Sequence, residues 1–293
     1  MENNIVLKIR SRLGEGIWWD DRRECLFWVD IMKKEVHCLK DGNDRLLKTF
    51  DDFVGFCAPC EDGRLVVGCG RDLLLFDPDT LDTKVLQSVD EDETNNRFND
   101  AKATPDGRIL AGTMNNILNE EDADDANTGR LYLLENGKAP IQLMDKLTVS
   151  NGIAFTEDAK TVYHVDTYSQ TIYAYDYDGN TGLLSNPRVA VKVPLESGNP
   201  DGFTIAADGT LFVAHWGGSA IRRYDPATGK ELEKWEFPAV HVTCCCFGGK
   251  DLDELYVNTS SIDAPEDAYP LAGSIFMVKP GVKGMKVNRF KIS

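Results

Sequence analysis

The sequence predicts an all-β fold, a six-bladed β-propeller with a central metal site, formed by one domain over residues 1–293. Short apolar runs recur at even spacing, turn signals separate them, and no segment shows the periodicity of an amphipathic helix. Six blades that close into a ring leave few exposed sheet edges. A two-domain β-sandwich is the alternative, but the strands of sandwiches do not usually recur so evenly.

The recurring runs are rich in β-branched and aromatic residues, as strands are. They are Cys25–Asp30, Arg64–Cys69, Arg108–Thr113, Thr161–Asp166, Thr210–His215 and Glu254–Thr259. The first residues of successive runs are 39, 44, 53, 49 and 44 residues apart. This spacing is close to the roughly 40 to 50 residues of a propeller blade. Turns such as Asp62-Gly63 precede these runs, and partner runs such as Leu73–Phe76 follow them.

The clearest unit extends from Asn199 to Tyr224. The Pro200-Asp201-Gly202 segment leads into an apolar run, and an Asp208-Gly209 turn joins that run to the next, which is a strong hairpin signal. Asp201 precedes the first strand between a Pro and a Gly. We therefore expect a rigidly positioned carboxylate that faces a cleft.

The propeller gives each segment a direction along the channel. If the first strand of every blade is innermost, then Glu15, Asp100, Asn151 and Asp201 precede innermost strands and meet at one end, opposite the Asp-Gly turns. The acidic, Asn-rich connection 115–129 lies at the same end as these residues. It is either a mobile lid over the channel or a solvated loop.

Composition excludes several classes of function. The chain has 48 acidic and 32 basic residues, for a net charge of −16, and such a surface repels phosphate backbones and anionic lipid. No apolar run approaches the roughly 20 residues of a membrane span, and the first residues lack the features of a signal peptide. We expect a cytoplasmic protein that binds a small-molecule substrate, with no nucleic-acid or membrane partner.

The eight cysteines fit a reducing compartment. They are Cys25, Cys38, Cys57, Cys60, Cys69, Cys244, Cys245 and Cys246. The Cys57-x-x-Cys60 pair has zinc-like spacing, but no second pair of that kind follows. Buried structural thiols are therefore favoured over a metal or redox site.

Candidate metal ligands lie in three glycine-flanked segments that enter different blades. Glu15 is flanked by Gly14 and Gly16, while Asn151 and Asp201 each precede a glycine. Two carboxylates and one amide carbonyl suit a hard divalent cation with open coordination positions. Each could instead be an ordinary turn residue, but three at one end of the channel favour a site.

The segment 95–102 enters another blade at the same end. Arg97 could bind or polarise an oxygen-rich substrate, and Asn99 could bind substrate or metal. Asp100 is as suited to holding the loop by hydrogen bonds, so it is left outside the predicted site.

Six motifs resemble a known family in the same order along nearly the whole chain. They are L-G-E-G-I-W-W-D, N-N-R-F-N-D-A-K, P-D-G-R-I-L-A-G-T-M, S-N-G-I-A-F, N-P-D-G-F and C-C-F-G-G-K. With them the chain resembles the senescence marker protein 30 family, also called regucalcin, gluconolactonase and luciferin-regenerating-enzyme-like. The resemblance implies a six-bladed propeller with one divalent metal ion in the channel: calcium, zinc or manganese.

The resemblance also implies residue roles and an activity. Glu15, Asn151 and Asp201 would bind the metal, Arg97 and Asn99 would contact the substrate, and Asp201 would also act as general base. The implied activity is hydrolysis of small sugar lactones, as in a gluconolactonase. The alternatives are hydrolysis of an organophosphate or luciferin-related compound on the same fold, and a non-catalytic calcium-binding regulatory protein.

One segment departs from the family pattern. In mammalian members acidic residues follow the A-G-T-M motif, and one of them helps to bind sugar, whereas Asn115, Asn116 and Ile117 follow it here. We therefore expect a more apolar sugar-binding side of the pocket. Trp216 and Tyr168 either add an aromatic wall there or are packing residues.

Overall fold

The strands form six antiparallel sheets of four strands each around a central channel. The structure is a computed structural model that describes residues 4–116 and 127–292. The predicted all-β, six-bladed propeller is thereby confirmed. Within the described residues, helical structure is limited to two 3-10 turns, at Thr167–Ser169 and Leu195–Ser197.

In five blades the innermost strand comes first in chain order, and in the sixth it follows only the N-terminal strand, which is the outermost. The innermost strands are β2 (Gly14–Asp20), β6 (Val54–Pro59), β10 (Asn96–Ala103), β14 (Ser150–Phe155), β18 (Asn199–Ile205) and β22 (His241–Gly248). Each one contacts the innermost strands of both neighbouring blades. Together they form the wall of the channel.

The second strands correspond to the apolar runs of the sequence. They are β3 (Cys25–Asp30), β7 (Leu65–Cys69), β11 (Ile109–Asn115), β15 (Thr161–Asp166), β19 (Leu211–Trp216) and β23 (Glu254–Ser260). Every residue of β3 is buried, and only the last residue of β19 is not. Adjacent blades cover both faces of such strands, which explains why β3, β7 and β19 are largely apolar throughout and do not alternate.

The third and fourth strands lie progressively further from the channel. The third strands are β4 (Glu35–Lys40), β8 (Asp72–Phe76), β12 (Gly129–Leu134), β16 (Thr171–Tyr177), β20 (Ala220–Asp225) and β24 (Ile275–Val278). The outermost strands are β5 (Asn43–Thr49), β9 (Thr83–Ser88), β13 (Ile141–Leu147), β17 (Leu184–Lys192), β21 (Lys230–Glu236) and β1 (Asn4–Leu7). Most residues of β21 are exposed and charged, whereas other outermost strands also expose apolar side chains such as Val85 and Val189.

The two ends of the chain complete the propeller. Strand β1 pairs with β24, with Ile5 opposite Phe276, so the N-terminal strand closes the last blade. The C-terminal segment instead runs beneath the blades at the end that carries the Asp-Gly turns. There the Phe290 N–H donates to the Pro59 carbonyl and the Lys291 N–H donates to that of Gly107. This segment therefore covers the channel end opposite the candidate ligands.

The described part of the chain contains no helix long and apolar enough to cross a membrane. All eight cysteines are free thiols, and all are buried except Cys38 and Cys69, which are half-buried. The predicted burial of the thiols thus holds for most of them.

An ion pair fixes the C-terminal segment to the first blade, and its removal should destabilise the fold. Arg289 Nη2 lies 3.0 Å from Oδ1 of buried Asp20 and 2.6 Å from that of Asp21. We expect Arg289→Ala to lower the free energy of unfolding by about 2 kcal/mol, since hydrogen bonds to charged groups contribute about that much. Urea unfolding would measure the difference. The control is Lys286→Ala, because Lys286 is exposed and 3.6 Å from Asp21.

The Arg289 effect should depend on pH with a defined sign. Burial alone would raise the pKa of Asp20, but hydrogen bonds from Arg289 and neighbouring groups lower it. A carboxyl with a lowered folded-state pKa contributes stability above its unfolded pKa of about 4. That contribution is lost as the pH falls through the lowered value. Equal urea midpoints for Arg289→Ala and the parent protein at pH 7 would contradict this prediction.

Candidate metal centre and substrate cavity

The sequence led us to expect the candidate ligands in loops that precede the innermost strands. The structure places them in the innermost strands themselves. Glu15 is in β2, Asn151 in β14 and Asp201 in β18. In each case the pairing register with the second strand shifts at or beside the ligand, as at a β-bulge. A bulge redirects a side chain from the regular alternation of a strand, and here it serves to place polar groups in the channel.

Glycines beside the ligands allow neighbouring innermost strands to approach closely. A Cβ atom on Gly152 would lie 2.7 Å from the Asp201 carbonyl oxygen, and one on Gly202 would lie 2.6 Å from Cys244 Cβ. No side chain fits at such distances. Strand packing therefore requires glycine at positions 152 and 202. In the sequence the same glycines form Asn-Gly and Asp-Gly pairs, which resemble turn signals.

All of the sequence-predicted site residues line one cavity of about 150 Å³ at this end of the channel. They are Glu15, Arg97, Asn99, Asn151 and Asp201. Glu15 is 8% exposed, Asn151 6% and Asp201 5%. Four different blades therefore contribute polar side chains to the same enclosed volume.

Local hydrogen bonds fix the orientation of the three candidate ligands. The Gly16 N–H donates to Glu15 Oε2 at 3.0 Å, and the Gly202 N–H donates to Asp201 Oδ1 at 3.0 Å. Asn151 Nδ2 donates to Thr167 Oγ1 at 3.1 Å, which leaves the Asn151 carbonyl oxygen as an acceptor. The side chains are preorganised, so a bound ion would order little further.

Three carboxyl groups are buried near one another at this site, which raises their pKa values. Burial and the nearby Asp100 carboxylate raise the pKa of Glu15 to about 7. Burial, Glu15 and Asp100 raise the pKa of Asp201 well above its usual range. Asp100, left outside the site by the sequence analysis, is thus close enough to act on both carboxylates. Burial raises the pKa of Asp100 as well.

The donor set fits a hard divalent cation. Two buried carboxylates repel each other until a positive charge neutralises them, and carboxylate and amide oxygens are the ligands that calcium and manganese prefer. Residues 4–116 and 127–292 contain no metal-binding cluster of three or more His, Cys, Asp or Glu side chains. Metal binding here would therefore depend on the Asn151 carbonyl as well as on Glu15 and Asp201.

Arg97 and Asn99 form a linked pair on β10. Arg97 Nη1 donates to Asn99 Oδ1 at 2.9 Å and to the Phe98 carbonyl at 2.9 Å, and Asn99 Nδ2 donates to the Ser150 carbonyl at 3.1 Å. Burial lowers the pKa of Arg97 to about 10, which leaves it cationic at neutral pH. The pair therefore presents a fixed positive charge beside the candidate ligands.

Much of the remaining lining is apolar, but these residues are not those of the departure from the family pattern: Asn115 and Asn116 do not line the cavity, and Asn116 Oδ1 accepts from Arg97 Nε at 3.2 Å. The sequence analysis had named Trp216 and Tyr168 for this wall, and both line the cavity. It missed a further group, which carries no polar signal in the sequence: Leu13, Ile31, Met114 and Val149. The predicted lid at 115–129 falls mostly outside the described residues.

A cysteine also contacts the candidate centre, which the sequence analysis treated only as a packing residue. Cys244, on β22, lies beside Glu15, and each of the two groups affects the pKa of the other. Burial raises the pKa of Cys244 well above its usual range. The thiol therefore stays protonated beside Glu15.

Comparison with known proteins gives a consistent result. Residues 13–261 match the model of the SMP-30/gluconolactonase/LRE-like region. Regucalcin of Xenopus laevis is 34% identical over 292 residues, which are 97% of each chain. A regucalcin from Agrobacterium tumefaciens, described as a calcium-binding protein, is 26% identical, with a TM-score of 0.91 over 99% of this chain and 98% of that one. A luciferin-regenerating enzyme is 30% identical, with a TM-score of 0.89 over 97% and 96%.

Proposed function

The chain belongs to the SMP-30/gluconolactonase/LRE-like family, and on that premise we propose that it is a metal-dependent hydrolase of small lactones of the sugar type. One observation carries the proposal. Glu15, Asn151 and Asp201 line the same small cavity as the Arg97–Asn99 pair. Oxygen ligands beside a fixed cation are the arrangement that ester hydrolysis needs, because negative charge develops on the carbonyl oxygen.

A divalent cation bound by Glu15, Asn151 and Asp201 would polarise the lactone carbonyl and increase the acidity of nearby water. Asp201 takes the proton from the water that attacks the carbonyl carbon. The bond between that carbon and the ring oxygen then breaks, the ring oxygen gains a proton, and a hydroxy acid results. Arg97 and Asn99 orient the oxygen atoms of the substrate, and Arg97 offsets the developing negative charge.

Two alternatives rest on specific observations. The Agrobacterium relative is described as calcium-binding, which favours calcium among calcium, zinc and manganese and supports a non-catalytic calcium-binding role. The structural likeness to a luciferin-regenerating enzyme and the apolar lining support another substrate, such as an organophosphate or a luciferin-related compound. A cytoplasmic location and a small-molecule partner complete the proposal.

The test is hydrolysis of δ-gluconolactone by protein stripped of metal and then refilled with calcium, zinc or manganese, with acid release followed by a pH indicator. We expect activity to vanish on stripping and to return with at least one ion. Activity that survives complete removal of metal would overturn the metal requirement. Tight calcium binding without turnover of any lactone or ester would favour the non-catalytic role.

A further inference from the structure

Several polar groups that line the cavity already form a hydrogen bond with the protein. Thr167 Oγ1 already accepts from Asn151, and Asn199 Oδ1 accepts from Gln170 Nε2. Both polar atoms of the Asn99 side chain are paired as well. These hydrogen bonds use part of the capacity that a lactone with hydroxyl groups on every side would need, because a buried polar group left unpaired weakens binding.

The apolar part of the cavity contains one rigidly held aromatic ring. Trp216 stacks on His241 with ring centroids 3.8 Å apart and an interplanar angle of 18°. The Gly217 N–H donates to His241 Nδ1 at 3.1 Å, which fixes the imidazole beneath the indole. Gly217 has a φ of +75°, a conformation that suits glycine and turns the chain back toward His241.

This arrangement prepares the indole for binding. One face of Trp216 is covered by His241, while the residue lines the cavity together with Tyr168, which is 58% exposed. A ring that is already immobilised loses little conformational entropy when a ligand covers it. Flat apolar ligands gain both from burial of area and from ring stacking.

We propose that Trp216 is a specificity-determining residue that receives an apolar, planar face of the substrate, and that His241 positions it. The preferred substrates are accordingly lactones with one polar edge, directed to Arg97, and one aromatic or apolar face. This inference rests on the proposed lactone hydrolysis, and among lactones it moves the preferred substrate from the sugar type to lactones with an apolar face. It gives a function to two residues that lie outside the candidate metal ligands and the Arg97–Asn99 pair.

The test compares dihydrocoumarin, an aromatic lactone, with δ-gluconolactone in metal-loaded protein. We expect kcat/KM to be at least about tenfold higher for dihydrocoumarin. In Trp216→Ala, kcat/KM for dihydrocoumarin should fall about tenfold, mainly because KM rises. For δ-gluconolactone, kcat/KM should fall less than about threefold. Trp216→Phe should retain most of the preference. The control is Trp19→Ala, because Trp19 also stacks on an aromatic ring, that of Tyr256, but lies outside the cavity.

A binding measurement separates recognition from chemistry. The metal-free protein is titrated with coumarin. The dissociation constant should be about tenfold larger in Trp216→Ala than in the parent protein, and unchanged in Trp19→Ala. Replacement of His241 by Phe, which retains a stacking ring, should weaken binding less than His241→Ala does.

Each remaining outcome has a defined meaning. Turnover of δ-gluconolactone but not of dihydrocoumarin would overturn this inference and leave the proposed function intact. Equal losses on both lactones in Trp216→Ala would also overturn it, because they would indicate a general structural effect. If the metal-loaded parent protein hydrolyses neither lactone, both the proposed function and this inference are overturned.

Discussion

Asp201→Asn should lower lactone hydrolysis by about 10³-fold or more while the propeller stays folded. The side chain has two proposed tasks, as metal ligand and as the group that takes the proton from water. Loss of a general base alone costs about 10² to 10⁴ in rate. The asparagine has the same size, and its amide can neither carry the charge nor accept that proton. Initial rates at saturating metal, with circular dichroism of each variant, would measure the effect.

The stability of Asp201→Asn provides a second and opposite readout. In metal-free protein the Asp201 carboxylate is buried near Glu15 and Asp100, so its neutral replacement should raise Tm or leave it unchanged. Asp251→Asn is the matched control, since it removes one negative charge from an exposed residue that lies 3.7 Å from Lys283. Retained hydrolysis with bound metal in Asp201→Asn would show that another group takes the proton.

Glu15→Gln should remove most of the metal-dependent stabilisation of the fold. A ligand that binds only the folded state at 100 times its dissociation constant adds about 2.7 kcal/mol to stability. In the parent protein we therefore expect a clear rise of Tm on addition of the active ion. The substitution takes one of the two ligand charges from a hard cation, and metal affinity should fall at least about tenfold.

Calorimetric titration and thermal melts of Glu15→Gln would test this result directly. Glu61→Gln is a suitable control. Glu61 is an exposed residue in the turn between β6 and β7, and it lies outside the cavity. An unchanged metal affinity in Glu15→Gln would place the metal elsewhere in the chain and would remove the basis of the proposed mechanism.

The parts of the fold that sequence alone predicted are those with a strong local signal. Second strands such as Leu211–Trp216 are covered on both faces, so they are continuously apolar and visible in the sequence. Outer strands such as Lys230–Glu236 are mostly exposed and charged, and nothing in their composition distinguishes them from loops. The pairing of Ile5 with Phe276, which closes the ring, joins opposite ends of the chain and has no local signature.

The candidate site shows the same division. Asp201 and Glu15 were found because glycines stand beside them, an arrangement that also suits an ordinary turn. The actual role of these glycines is to let neighbouring innermost strands pack together. The contribution of Asp100 to the field at both carboxylates was missed, because it depends on distances between blades.

The sequence by itself therefore determined the fold class, the number of blades and the residues that meet at one end of the channel. Blade spacing, turn residues and local motifs are properties of short segments, so they can be recognised without knowledge of distant contacts. Only the tertiary structure decided that the ligands lie at bulges within strands, that Cys244 lies beside Glu15, and that His241 stacks on Trp216 at the cavity. Each of these features is a contact or register set by the packing of strands and blades, which no single segment encodes.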